Sequence, residues 1–213
     1  MLAIRHGQSE ANVDLNIMKT VPDVLVSLTD LGRAQAAEAG KHLRKYLHDH
    51  QIKYVKIWNS PFNRTRETAS IVLKQLLGDS LIAVRTEENN MLIERQFGLV
   101  PFVESYGHTD STRVFRQFYE SHVGEQSFFV KPPLGESPFD VSMRMEAFHR
   151  TYIEPDTFYF HVIVGHGGSL RLLAKYLAKL PYDFEIKRPA NASINAFHSK
   201  GLQSIFIPSQ ITY

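Results

Sequence analysis

The 213-residue sequence contains no cysteine. That excludes a disulfide framework, a cysteine–zinc site and a thiol nucleophile, and any metal would have to rest on imidazole and carboxylate ligands. No run approaches the roughly 18 apolar residues that a membrane helix needs. The N-terminus also lacks the charged, apolar and small-residue succession of a secretory signal, so a soluble, cytoplasmic protein without a membrane partner is expected. An excess of one charge is missing as well: 24 basic and 22 acidic residues leave a formal net charge of +2. With no long basic run and no RNA-binding pattern, nucleic acid is not an expected partner. There is no internal repeat or low-complexity segment. What is present, 43% hydrophobic and 22% charged residues, is the composition of an ordinary globular chain with one sizeable core, so residues 1–213 are expected to form a single domain.

Hydrophobic periodicity predicts strands alternating with helices. A very short apolar strand, Met1 to Ile4, runs straight into Arg5-His6-Gly7. Thr29 is the candidate N-cap of a helix from about Asp30 to Tyr46, in which Ala36, Ala39, Gly40, Leu43 and Leu47 recur at helical spacing. Tyr54 to Trp58 reads as a buried strand, and Ser60-Pro61 supplies an N-cap and first-turn proline for a helix lasting until Gly78. A third strand is expected over Leu81 to Arg85, followed by the polar run from Thr86 to Asn90 and then Leu92-Ile93-Glu94-Arg95. From Gly98 to Gly135 the pattern changes. Phe102, Tyr106, Phe115, Phe118 and Tyr119 mix with polar residues, helix evidence is strongest between Ser111 and His122, and the stretch at about 99–134 is read as an inserted cap. Regular structure resumes with a helix from Pro138 to Tyr152 and a core strand from Phe160 to Val164. Gly165-His166-Gly167-Gly168 then opens a helix to about Leu180, and strands follow near Ser193 to His198 and Gln203 to Ile207. This order predicts an α/β fold, a three-layer α/β/α sandwich around a mostly parallel sheet.

Three segments place charged or imidazole groups just beyond strand ends: Arg5-His6-Gly7, Ser60 to Thr65, and Gly165 to Gly168. In open α/β sheets that edge is where ligands bind. Two arginine forks, Arg5 and Arg64, suit bidentate capture of a phosphate, and helix N-termini add free backbone N–H groups. Arg64 in the first turn of a helix opposes the local dipole, which is itself a reason to expect an anion beside it. A neutral His6 is a competent nucleophile provided one ring nitrogen is tied to a backbone carbonyl and the other left free. His166 is a candidate donor to phosphoryl oxygens, and expelling an alkoxide needs a proton, for which Glu94 is the candidate among its neighbours Glu87, Glu88 and Glu104. Glu136 has a structural reading as a carboxylate at a helix N-terminus. His108, His122, His149 and His161 lack a partner motif and read as packing or exposed residues.

The ordered series resembles the histidine phosphatase superfamily, in the branch that holds the cofactor-dependent phosphoglycerate mutases and their phosphatase relatives. The matching residues are Arg5-His6-Gly7-Gln8-Ser9 with Asn12, Leu28-Thr29 with Gly32 and Gln35-Ala36, and Ser60-Pro61 with Arg64-Thr65 and Thr68-Ala69. They continue with Glu94 to Gly98, Gly135-Glu136-Ser137 and His166-Gly167. The resemblance implies a phosphoglycerate mutase-like fold. It also implies that His6 is the phosphorylated nucleophile, that Arg5, Arg64 and His166 form the phosphate pocket, that Glu94 is the proton donor, and that Asn12 and Gly167 contact phosphate. It implies no metal and no cofactor. Gly167 rather than Asp follows His166, unlike the acid phosphatase and phytase branch.

Bisphosphoglycerate-dependent mutases carry a longer insertion before the Gly-Glu-Ser motif, with adjacent arginines that bind the substrate carboxylate. Here the insertion is shorter, and Arg113 to Tyr119 and Lys131-Pro132-Pro133 only loosely resemble that segment. The expected activity is therefore that of a phosphomonoesterase acting on a small phosphorylated substrate, as a monomer or homodimer. The alternatives are a mutase that returns the phosphoryl group to a rebound acceptor, and a catalytically idle protein that senses a phosphorylated ligand.

Overall fold

The computed structural model describes residues 1–77, 79–98 and 128–208. Gly78 as a helix end, the expected helix from Ser111 to His122, the cap aromatics, Glu104, His108 and His122 lie outside the described residues, as does most of the expected cap.

A six-stranded sheet forms the centre, in the order β3-β2-β4-β1-β5-β6. Its strands are β1 (Leu2–Arg5), β2 (Tyr54–Asn59), β3 (Ala83–Glu88), β4 (Phe160–Gly165), β5 (Ile194–His198) and β6 (Gly201–Phe206). β3, β2, β4 and β1 pair in parallel, whereas β5 and β6 add an antiparallel edge. The longer helices are α2 (Asp30–Asp49), α3 (Asn63–Leu76), α4 (Pro138–Phe148) and α5 (Gly167–Leu177), and a single turn, α1 (Glu10–Val13), follows β1.

Alternating strand residues feed two cores, as a sheet covered on both faces requires. On one face Leu2, Ile4, Val55, Ile57, Val162 and Val164 pack under Leu43 and Leu47 of α2 and Val72 and Leu76 of α3. On the other, Ala3, Trp58 and Ile163 meet Val141, Met145 and Phe148 of α4 and Leu170 and Leu173 of α5. The three-layer α/β/α sandwich read from the sequence is the observed architecture.

Element boundaries differ where tertiary pairing overrides local pattern. β3 begins at Ala83, and Leu81, expected as its first residue, is 63% exposed. Its span is set by a ladder with the whole of β2, from Tyr54↔Ala83 to Asn59↔Glu88, so the polar Thr86-Glu87-Glu88 run belongs to an exposed edge strand. α2 is capped by Thr29 as expected, whose side chain accepts from Gly32 N–H, and it continues three residues past Tyr46. The N-cap of α3 is Phe62; Ser60 and Pro61 precede the helix. α4 is capped by a reciprocal Ser137–Asp140 pair and passes at His149 into a wider π-helical turn, so the expected helix to Tyr152 changes pitch after Phe148. α5 stops at Leu177 because Lys179 takes a left-handed φ of 52° and Pro181 follows.

Candidate active site

Ladder bonds continue one residue past the strand ends and bring the motifs together. His6 N–H donates to Gly165 O at 3.0 Å beyond β1, and Ser60 N–H donates to Val164 O at 3.3 Å beyond β2. His6, Ser60 and His166 therefore sit side by side at the carboxyl edge of β1, β2 and β4. Gly7 then turns under α2 so closely that a Cβ there would lie 2.3 Å from Gly32 O, and its N–H is received by Thr68 Oγ1 at 3.1 Å.

His6 is 3% exposed, and its Nδ1 lies 2.7 Å from Gly7 O. A carbonyl only accepts, so Nδ1 carries the proton and Nε2 keeps its lone pair. Burial, and then the positive fields of Arg64 and Arg5, hold His6 well below the usual imidazole range. The tie that a nucleophilic His6 needs is thus present.

His166 is fully buried, with its ring centroid 5.3 Å from that of His6 in an edge-on arrangement. Its Nε2 pairs with Ser60 Oγ at 2.9 Å, and its buried Nδ1 has no partner among the described residues. Burial first, then Arg64 and His6, keep it also well below the usual imidazole range. Two neutral imidazoles therefore face each other.

Both expected arginines reach this floor and are 7% and 5% exposed. Arg5 Nη1 donates to Pro189 O at 2.8 Å while its buried Nε has no partner among the described residues. Burial, and next the like charge of Arg188, push Arg5 down to about 10. Arg64 lies over the Phe62 ring, and its Nη1 donates to Asp23 O at 2.8 Å and to Asp23 Oδ1 at 2.7 Å, with Nη2 3.4 Å from Oδ2. Asp23 is thus an anion beside the first turn of α3, and it fixes the plane of the guanidinium.

Glu94 is half-buried at the N-terminus of α5. Its carboxylate accepts Gly168 N–H at 3.1 Å, Ser169 N–H at 3.2 Å and Arg95 N–H at 2.9 Å. Oε1 takes two of these N–H groups and Oε2 only that of Gly168, so Oε2 has a lone pair left on which a proton can be carried. The loop is held by Glu136, whose carboxylate accepts Gln96 N–H at 3.0 Å and both Nε and Nη2 of Arg144 at 3.1 and 3.0 Å. Arg144 also donates to Met91 O and Ile93 O. Ser137, not Glu136, caps α4, so Glu136 acts as a bracket for the Glu94 loop.

Asn12 is exposed at the rim, its Oδ1 accepting Ser9 N–H at 3.1 Å and Asn191 Nδ2 at 2.9 Å. Asn191 Nδ2 lies 3.2 Å from His6 O and so joins Asn12 to the His6 backbone. Gly167 opens α5 next to His166, and Glu94 takes the following two N–H groups rather than its own. All seven residues expected at the site gather at this edge. Four contributors were not read from the sequence as site residues: Ser60 as the partner of His166, Thr68 beneath Gly7, Asp23 on Arg64, and Asn191 between Asn12 and His6 O. Ser60 and Thr68 lie in the same motif as Arg64, the signal that could have found them. His161, read as a packing residue, is buried and accepts Trp58 Nε1–H at 3.1 Å.

Comparison with known proteins identifies the family. The family model of the histidine phosphatase superfamily (branch 1) matches residues 1–204. A phosphoglycerate mutase-like protein of Arabidopsis thaliana is 31% identical over 202 residues, covering 87% of this chain and 68% of the relative. A 2,3-bisphosphoglycerate-dependent phosphoglycerate mutase of Bartonella bacilliformis is 30% identical over 182 residues, covering 84% of this chain and 82% of its own length. Among solved structures, a mycobacterial glucosyl-3-phosphoglycerate phosphatase complexed with VO3 superposes with a TM-score of 0.64 at 21% identity, covering 99% of both chains. Bacillus stearothermophilus YhfR gives 0.64 at 22% identity, over 96% of this chain and 94% of the other. These two show likeness of fold. Together with the motifs gathered at the sheet edge, the match across 1–204 means that the chain belongs to the histidine phosphatase superfamily, branch 1.

Proposed function

We propose that the protein is a phosphomonoesterase that works through a covalent phosphohistidine on His6. The observation that carries this reading is the Nδ1 contact of His6 with Gly7 O at 2.7 Å, which leaves the Nε2 lone pair for attack, in the positive field of the buried Arg64 and Arg5. Arg5 and Arg64 grip the phosphoryl oxygens, and Asn12 and the N-terminal N–H of α5 at Gly167 add donors. His6 Nε2 attacks phosphorus in line; the P–N bond forms as the ester P–O bond breaks, and Glu94 gives its proton to the departing alcohol. Charge on the moving phosphoryl group is met by His166, whose Nδ1 is a donor when Nε2 accepts the Ser60 hydroxyl proton. Water then attacks phosphorus, its proton passes to Glu94, and cleavage of the P–N bond restores His6 and releases inorganic phosphate.

Hydrolysis is favoured over mutation by the shorter segment between Glu94 and Gly135, which lacks the adjacent arginines associated with carboxylate capture in mutases. A mutase is the second reading, motivated by the Bartonella relative. The two differ in product. Inorganic phosphate released from a range of phosphomonoesters, without stimulation by 2,3-bisphosphoglycerate, supports the phosphatase. Interconversion of phosphoglycerates that depends on 2,3-bisphosphoglycerate, with little phosphate release, overturns it in favour of the mutase. Absence of any turnover leaves the phosphate-sensing protein.

A further inference from the structure

The connection from α5 to β5 forms one wall of the pocket. Pro189 O holds Arg5, and Asn191 bridges His6 O and Asn12. Arg188 sits at the start of this wall and is exposed. Its side chain lies across Gly167, the first residue of α5: a Cβ there would come within 2.7 Å of Arg188 Nε, 3.2 Å of Cγ and 3.5 Å of Cδ. The missing side chain at Gly167 is what lets the guanidinium stem rest against the helix end beside His166.

Other arginines around the pocket are held by protein acceptors. Arg5 is on Pro189 O, Arg64 on Asp23, Arg144 on Glu136, and Arg171 on Gly167 O at 3.1 Å and Ile186 O at 3.4 Å. Arg188 makes no hydrogen bond or ion pair with a described residue. Its charge is nevertheless felt inside: after burial it is the largest influence lowering both Arg5 and Arg171, and it also acts on His6. Crowding like charges costs free energy, and an anion brought by the substrate relieves it. Arg5 and Arg64 are assigned to the transferred phosphoryl group, which leaves Arg188 without an acceptor among the described residues.

We propose that Arg188, backed by the field of Arg171, forms a second anion subsite, so that preferred substrates are phosphomonoesters whose alcohol carries a further anionic group. This rests on the reading of the His6 pocket as a phosphoryl site. It differs from carboxylate capture by arginines of the inserted segment, because here the second anion is taken from the α5–β5 wall. A carboxylate and a second phosphate share the required chemistry, anionic oxygens within reach of a guanidinium fork.

Non-hydrolysable phosphonates test the subsite without turnover. The full chain is titrated calorimetrically with three series of matched chain length: alkylphosphonates, ω-phosphonocarboxylates and α,ω-bisphosphonates. The expected result is that at least one carboxylate or bisphosphonate ligand binds about tenfold tighter than the alkylphosphonate of equal length. Whichever series shows the preference identifies the anion. Arg188→Gln should bring the ratio to within about twofold while leaving alkylphosphonate affinity within about twofold, and Arg188→Lys should restore part of it. Lys187→Gln, which removes an exposed charge one residue away, should leave the ratio intact. The proposal is overturned by equal affinities for all series, by a ratio unchanged in Arg188→Gln, or by parallel loss of alkylphosphonate binding. Failure of every phosphonate to bind would instead overturn the phosphoryl-site reading, and the subsite with it.

Discussion

The floor of the pocket and its rim are built by different means. On the floor, His6, Ser60, His166 and Thr68 are at most 3% exposed, and their positions follow from ladder bonds that run one residue beyond β1 and β2 and from the first turns of α3. On the rim, Asn12 and Arg188 are exposed, Glu94 is half-buried, and each is positioned by contacts far along the chain, such as Glu94 with Gly168 and Asn12 with Asn191. The floor has little freedom to vary without breaking the sheet. The rim can change residue by residue. Chemistry common to a family belongs on the first, and choice of substrate on the second.

The comparison is broken most severely at the floor. His6→Ala should lower turnover by about 10⁴-fold or more, measured as initial rate on any good substrate, because it removes the proposed nucleophile. Glu94→Gln comes next and acts selectively: about 10²-fold for alkyl phosphates, whose leaving groups need a proton, and less than about tenfold for p-nitrophenyl phosphate, whose leaving group does not. Equal losses on both substrates would remove Glu94 from the proton-transfer role.

A third prediction separates rim structure from rim chemistry. Glu136→Ala leaves Arg144 without its carboxylate at a site where both side chains are at most 20% exposed, and should cost about 2 kcal/mol in denaturant unfolding. It should also depress kcat, because the Glu94 loop loses its bracket. Asn12→Ala, at the exposed rim, should change stability by less than about 0.5 kcal/mol and register only as a modest rise in KM.

Protonation gives a fourth prediction. His6 and His166 are held below the usual imidazole range by burial, so the folded protein stays unprotonated at both while the unfolded chain takes up protons below about pH 6.5. More protons on the unfolded state means that stability falls as pH drops below about 6.5 and is fully present above it. His6, the proposed nucleophile, in contrast stays neutral through that window, so the rate of phosphorylation should not titrate at the normal histidine value. A stability profile flat from pH 7.5 to 5.5 would contradict the buried, neutral pair.

Legibility in the sequence depends on how local each signal is. β1, α2 and β4 were readable because periodicity and caps act locally, and Thr29 caps α2 as its position predicts. β3 was misplaced because its span is dictated by pairing with β2 rather than by its own apolar content. His6, Arg5, Arg64, Glu94 and His166 were recognisable as residue types near strand and helix ends. Asp23 was not, since it meets Arg64 across 41 positions with no local pattern to mark the pair. Arg188 gave no signal either. Only the fold lays it over Gly167.

The most direct test of the account is a rapid quench after mixing the enzyme with a ³²P-labelled phosphomonoester. The predicted result is acid-labile, base-stable label on His6 that forms and decays fast enough to account for turnover. Unlabelled protein at every time point, together with activity that survives His6→Ala, would contradict it.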